Sequence, residues 1–282
     1  MLVGVLLATF TAVTWGSISV LEARVSRALG GQSALAWVFG VGLVVILPIA
    51  LFRGVPDASI SAWAWAMVAA VCSLAGLALM FTGLQYGRVG LVTATISVQG
   101  AFAAIYAAIG GESLHPLSVV AMAVSAVGTF VLMSGDGGVA APPRERRGIL
   151  LALAAACFTG LSLFAASRGG SGIGADWVLV CIRLSSVALV SLPLALTGRL
   201  RAPRGVVTPM IVAGIGEVAA FAAYIESSDR IGVAVPAVIA SQFALIAAAV
   251  GWIVLGERLG PRQLLGAGAV VAGVTALTIL QA

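Results

Sequence analysis

The chain has 282 residues, 61% of them hydrophobic and only 9% charged, against about 25% charged in a typical globular domain. Its 15 basic and 10 acidic side chains cannot cover the surface of a soluble domain of this length, which excludes an ordinary soluble enzyme, a disordered chain and a disulfide-stapled secreted scaffold. A polytopic membrane protein remains.

All 15 basic residues are arginine, and the net charge is +5. They stand in short clusters between apolar runs, as in loops held against anionic lipid, and no nucleic-acid-binding pattern accompanies them. The three cysteines, Cys72, Cys157 and Cys181, lie inside apolar runs without a C-x-x-C pair, so they read as packing residues.

Ten continuous apolar runs are long enough to span a bilayer, each needing about 20 residues as a helix. In chain order they cover 2–22, 34–52, 62–83, 89–110, 116–134, 148–166, 176–197, 206–225, 232–255 and 263–280. The first has no basic region before it and reads as a span rather than a removed signal. The runs do not alternate as barrel strands would, so the fold expected is all-α. The longest polar break, Pro142-Pro143-Arg144-Glu145-Arg146-Arg147, divides them five and five.

The halves repeat one another. Pro48-Ile49-Ala50-Leu51 returns as Pro193-Leu194-Ala195-Leu196, Gly111-Glu112-Ser113-Leu114 as Gly256-Glu257-Arg258-Leu259, and Gly128 as Gly273, each 145 positions on. Arg88-Val89-Gly90 returns as Arg230-Ile231-Gly232 at 142. Ordered matches at a nearly constant offset indicate an internal duplication. Five is odd, so the second copy enters the membrane with the opposite orientation, which makes an inverted-topology repeat of the kind found in secondary transporters. The expected organisation is residues 1–135, a connecting loop at 136–147, and residues 148–282.

Several of these residues carry a family resemblance. Leu255-Gly256-Glu257-Arg258-Leu259, the following Gln263-Leu264-Leu265-Gly266, Gly273, the first-half Gly111-Glu112-Ser113-Leu114 and the Trp15-Gly16 pair resemble the ten-helix EamA type of the drug/metabolite transporter superfamily. The resemblance extends over nearly the whole chain. It implies two fused five-helix units around a central cavity and export of amino acids or related metabolites. The absence of lysine departs from the family pattern.

Arginine counting gives a topology. With loops assigned alternately, one side holds Arg24, Arg27, Arg88, Arg144, Arg146, Arg147, Arg199, Arg201, Arg204, Arg258 and Arg262, and the other Arg53, Arg168 and Arg230. The positive-inside rule puts the 135–147 loop in the cytoplasm of an inner-membrane protein and both termini outside; the resemblance implies termini inside.

Ionisable groups within spans are costly, and they usually face the bundle interior or a water-filled path. Arg183 and Glu217 are two such groups. Either Glu217 meets a substrate amine or carries a coupling proton while Arg183 faces a carboxylate, or the two form an ion pair that locks their helices. Polar and aromatic stripes supply further candidates. Thr95, Gln99, Phe102 and Tyr106 share a face of the fourth helix at 4-3-4 spacing, and Glu217, Phe221 and Tyr224 a face of the eighth. Thr11, Trp15 and Ile18 share one on the first, and Gln242 falls one position from the repeat counterpart of Gln99. Hydrogen-bonding groups among aromatic walls suit a cavity for a zwitterionic metabolite. The plainer alternative has Trp and Tyr anchoring the interface and Thr bonding back to its own helix. The substrate-binding candidates are thus Trp15, Thr95, Gln99, Tyr106, Arg183, Glu217, Phe221, Tyr224 and Gln242. Glu112 and Glu257, ahead of Pro116 and Pro261, read as helix-end residues. Ala121, Ser125, Ala269 and Gly273 have small-xxx-small spacing, and Pro236 is a point at which the ninth helix could bend.

Catalytic and nucleotide motifs are missing. Without lysine there is no P-loop; the sole histidine, His115, stands in a loop; and Gly160-Leu161-Ser162-Leu163-Phe164 lacks the second glycine of a nucleophile elbow. The function expected is a secondary transporter, not an enzyme, that exports amino acids or related small metabolites by alternating access. Its expected partners are the substrate, membrane lipids and optionally protons, with no nucleic acid, no cofactor and no metal. An intramembrane enzyme and a non-transporting subunit or channel are the alternatives.

Overall fold

The computed structural model describes residues 2–111, 142–255 and 260–281, together with positions 120, 124, 127, 128 and 131. The expected fifth span, His115, Glu112, Pro116 and Glu257 lie outside or almost outside the described residues. The described backbone is helical: α1 (Leu2–Leu29), α2 (Gly31–Arg53), α3 (Ile60–Tyr86), α4 (Val89–Ile96), α5 (Gln99–Ile109) and α6 (Pro143–Ser186). A widened π-helical turn (Val187–Ser191), α7 (Leu192–Leu196), α8 (Val207–Ile231), α9 (Ala234–Ser241), α10 (Phe243–Leu255) and α11 (Pro261–Gln281) follow.

Six described helical stretches are long and apolar enough to cross a membrane. One of them, Pro143–Leu196, has 54 residues; at about 1.5 Å per residue it is far longer than a bilayer is thick, so it makes two passes. It bends at Gly174, whose φ of 80° and ψ of 156° are not helical. That conformation is open to glycine and strained for any residue with a Cβ. Gly30, between α1 and α2, has the matching φ of 82° and ψ of 150°. The corresponding junction of each half is therefore built on the same backbone conformation, 144 positions apart.

Spans four and nine repeat a second local feature. The eight-residue helices α4 and α9 begin at Val89 and Ala234 and end at Ile96 and Ser241, in both cases 145 positions apart. Each continues through tight i→i−3 bonds. In the first half these are Val98 N to Thr95 O, Gly100 N to Ser97 O and Ala101 N to Val98 O; in the second, Gln242 N to Ile239 O and Leu245 N to Gln242 O. Such turns hold 3.0 residues rather than 3.6, so they overwind the helix and rotate every face beyond them. The continuous fourth and ninth helices read from sequence are therefore each divided in two. The first helix also runs on past residue 22 to Leu29, and the sixth continues through the Gly170-Ser171-Gly172 segment.

Packing follows the duplication. α3 lies along α6, and its counterpart α8 lies along α1; α1 also packs on α10 as α6 packs on α5. The divided helices of the two halves meet, and a Cβ on Gly100 of α5 would come 2.5 Å from Ser241 Oγ of α9. Thr11 of α1 donates to Ala220 O of α8 at 3.0 Å, and Ser162 of α6 to Ala69 O of α3 at 2.9 Å. Large apolar side chains such as Phe52 and Ile60 point outward, as lipid contact requires.

The loops segregate to two ends. At one end Arg27 donates to Leu84 O and Gly87 O, Arg144 to Gln85 O, Arg88 pairs with Glu145 at 2.5 Å, and Arg147 lies over the Tyr86 ring. Trp37 and Ser33 bond to the backbone of Arg201. At the opposite end Arg53 meets Asp176 at 4.0 Å, Trp177 donates to Gly54 O, Arg168 to Gly110 O and Ser227 to Gly4 O. Each end is thus tied together by contacts between the two halves.

Candidate functional site

A cavity of about 40 Å³ lies where the halves meet. α1 contributes Trp15, Ser19 and Glu22, spaced so that one helical face carries all three. α8 contributes Glu217 and Phe221; α6 Thr159, Ser162 and Leu163; α3 Ser73, Leu77 and Met80; α4, α5 and α10 add Ile96, Gln99 and Phe243. One wall is aromatic: the Trp15 ring is 6.0 Å from Phe221 and 6.3 Å from both Tyr224 and Phe243.

Three buried ionisable side chains stand at or beside the cavity. Arg183 Nη2 donates to Glu217 Oε2 at 3.0 Å, with both side chains almost fully buried. The guanidinium lies 3.8 Å over the Phe39 ring, a cation–π contact strengthened by exclusion of water. Gly42 of α2 makes room for it, since a Cβ there would be 3.0 Å from Arg183 Nε. Glu22, 1% exposed, is the third ionisable group. It lies within electrostatic reach of Glu217 and Arg183, and its Oε1 has no hydrogen-bond partner among the described residues.

Three of the four hydroxyl groups in the lining donate to carbonyls. Ser19 donates to Trp15 O, Thr159 to Ala155 O and Ser162 to Ala69 O. With each proton committed to a carbonyl, the hydroxyls present lone pairs to the cavity. Among the described residues no group of three or more His, Cys, Asp or Glu side chains is placed to hold a metal. A separate polar depression of about 310 Å³ lies at the arginine-rich end, between Gln32, Thr82, Gln85, Arg199 and Arg201.

Of the residues singled out from sequence, Trp15, Gln99, Glu217 and Phe221 line the cavity. Tyr224 backs it, stacked on Trp15, with its hydroxyl reaching Leu163 O. Arg183 stands behind Glu217 as its partner and is not part of the lining, which matches the ion-pair alternative. Thr95 donates to Leu91 O of its own helix. Tyr106 is 3.2 Å from Cys157, and Gln242 occupies the overwound turn between α9 and α10. These three do not line the cavity. The 4-3-4 stripe assumed an unbroken α-helix, and the tight turns at Ser97 and Val98 rotate Thr95 out of line with Gln99.

Glu22 escaped the sequence reading because the first apolar run ended on it. The available signal was helical phase: Trp15, Ser19, Glu22 and Ser26 recur at 4-3-4 spacing on α1, and all four are buried.

The comparisons with known proteins agree with this architecture. A solved structure described only as "Crystal structure of protein" superposes with a TM-score of 0.72 over 98% of this chain and 96% of its own, at 19% identity; this similarity is one of fold. No curated protein matches. The EamA-like transporter family matches twice, at residues 2–134 and 146–279. The two matches take in nearly the whole chain and one copy falls on each half, so this protein belongs to the EamA-like transporter family and is a multi-pass membrane transporter of small solutes.

Proposed function

We propose that the protein exports amino acids or closely related small metabolites by alternating access, with the two repeats rocking about the cavity at their interface. The observation that carries this reading is the cavity itself, bounded by helices of both halves and combining buried carboxylates and Gln99 with the aromatic wall of Trp15, Phe221 and Phe243. At about 40 Å³ it holds only a few waters, whereas small-molecule pockets run to about 300–1,000 Å³. Loading therefore requires the halves to part, as relative movement of the repeats provides. Trp15, Gln99, Glu217 and Phe221 contact the substrate in this scheme, and Arg183 holds Glu217 in place.

The proposed orientation follows the arginines. The end bearing Arg27, Arg88, Arg144, Arg147 and Arg201 faces the cytoplasm, and the end bearing Arg53, Arg168 and Arg230 faces outward.

Counterflow in proteoliposomes containing only this protein tests the function. Radiolabelled amino acids are expected to exchange saturably against the same unlabelled solute. Repetition with a pH gradient separates proton coupling from facilitated diffusion. If no amino acid exchanges or competes, the substrate assignment fails. If no small metabolite gives saturable exchange, alternating access through this cavity fails with it.

A further inference from the structure

The cavity is lined by two carboxyl groups, four hydroxyls, the Gln99 amide and the Trp15 indole, whose Nε1 has no hydrogen-bond partner among the described residues. Two carboxylates, Glu22 and Glu217, are buried with one guanidinium, and Arg183 directs its hydrogen bond to Glu217. Glu22 is left buried, facing the cavity, with Oε1 unpartnered among the described residues. A carboxylate out of water needs a cation or a proton beside it. Ser19, Thr159 and Ser162 of the same lining have given their hydroxyl protons to carbonyls. Trp15, Phe221 and Phe243 line the same cavity.

We infer that Glu22 is the ammonium-binding group of the transport cavity, so that the carrier selects its substrates by a protonated amine. This deepens the proposed function and rests on its reading of the cavity as the transport site. A primary ammonium has three N–H donors and no acceptor. The Glu22 carboxylate and the hydroxyl lone pairs are complementary to it, and the aromatic side chains add cation–π attraction. A hard metal cation such as Na⁺ prefers a shell of oxygen ligands, whereas this cavity is aromatic along one side. The arrangement also sets which end of a zwitterion is recognised. Arg183 bonds Glu217 through Nη2, has no hydrogen-bond partner among the described residues at Nε and Nη1, and does not line the cavity, so a substrate carboxylate meets no guanidinium in the cavity wall. Amines and amino-acid esters should therefore bind, while the matching organic acids should not.

Scintillation-proximity binding to the purified full-length protein tests this with a matched series. Radiolabelled phenethylamine is the probe, and phenylalanine, 3-phenylpropionate and NaCl are the competitors. Phenethylamine is expected to bind saturably, phenylalanine to compete, and neither 3-phenylpropionate nor Na⁺ to displace it. The isosteric Glu22→Gln is expected to weaken phenethylamine binding by about tenfold or more, and Glu22→Asp to retain part of it. Thermal unfolding establishes that both variants are folded; if Glu22→Gln is not, the comparison of Glu22→Asp with wild type carries the test. Unchanged affinity in the variants, equal competition by 3-phenylpropionate, displacement by Na⁺, or no saturable amine binding to the wild type each overturns the ammonium assignment. Amino-acid counterflow measured on the same preparations separates the two claims. Its persistence alongside any of those results leaves the transport reading standing, whereas its absence from the wild type removes both.

Discussion

Arg183 is among the largest fully buried side chains in the protein, and it is tolerated there because its charge is met by Glu217 and its flat face by Phe39. Removal of one partner strands the other. Glu217→Gln is expected to lower stability by about 3–5 kcal/mol, while joint replacement as Arg183→Met with Glu217→Leu restores most of that loss. Thermal unfolding in detergent checks this; a double variant as unstable as the single one would show that the ion pair is not the cause. Gly42→Ala is expected to displace the guanidinium, because the new methyl would sit 3.0 Å from Nε and 3.2 Å from Val218 Cγ2. Overpacking of that kind costs about 1–3 kcal/mol, and amino-acid counterflow should fall along with the melting temperature. Arg183, Glu217, Trp15, Gln99 and Phe221 were all legible in the sequence as polar or aromatic residues inside apolar runs. Glu22 was not, because hydropathy locates where a run stops but says nothing about how far its helix continues.

At the scale of the elements, Gly174 and the two overwound turns decide most of what is particular to this fold. Gly174 has a φ of 80°, and a Cβ there would also lie 2.8 Å from Asp176 Oδ1. Gly174→Ala is therefore expected to cost at least about 1–3 kcal/mol, measurable as a lower unfolding temperature, whereas Gly40→Ala, with open space around the new Cβ, is expected to have little effect. Equal losses at both positions would contradict the role given to the backbone conformation. The glycine-rich stretch before Gly174 looks like a loop in the sequence, yet it is helical, since glycines within a span are held by neighbouring helices rather than by their own propensity. The overwound turns could not be read from spacing, because periodicity arguments assume 3.6 residues per turn throughout.

For the whole molecule, the duplication and the grouping of the arginines organise everything else. The orientation proposed from them is checked with single cysteines in a cysteine-free background. Val55→Cys is expected to react with a membrane-impermeant maleimide in intact cells, and Gln32→Cys, at the arginine-rich end, only after lysis. The reverse pattern would turn the protein over in the membrane. By itself the sequence determined that the chain crosses a membrane repeatedly as helices, that its halves are copies in opposite orientation, and which loops share a side. Those properties are local or periodic: they depend on hydropathy along the chain, on an offset of 145 and on the placement of arginines. Only the tertiary structure decided that Glu22 and Glu217 line one cavity with the aromatic side chains, that Thr95, Tyr106 and Gln242 stay out of it, and that Arg183 bonds Glu217 without lining it. These depend on helical phase and on contacts between residues far apart in the chain, and neither composition nor spacing records them.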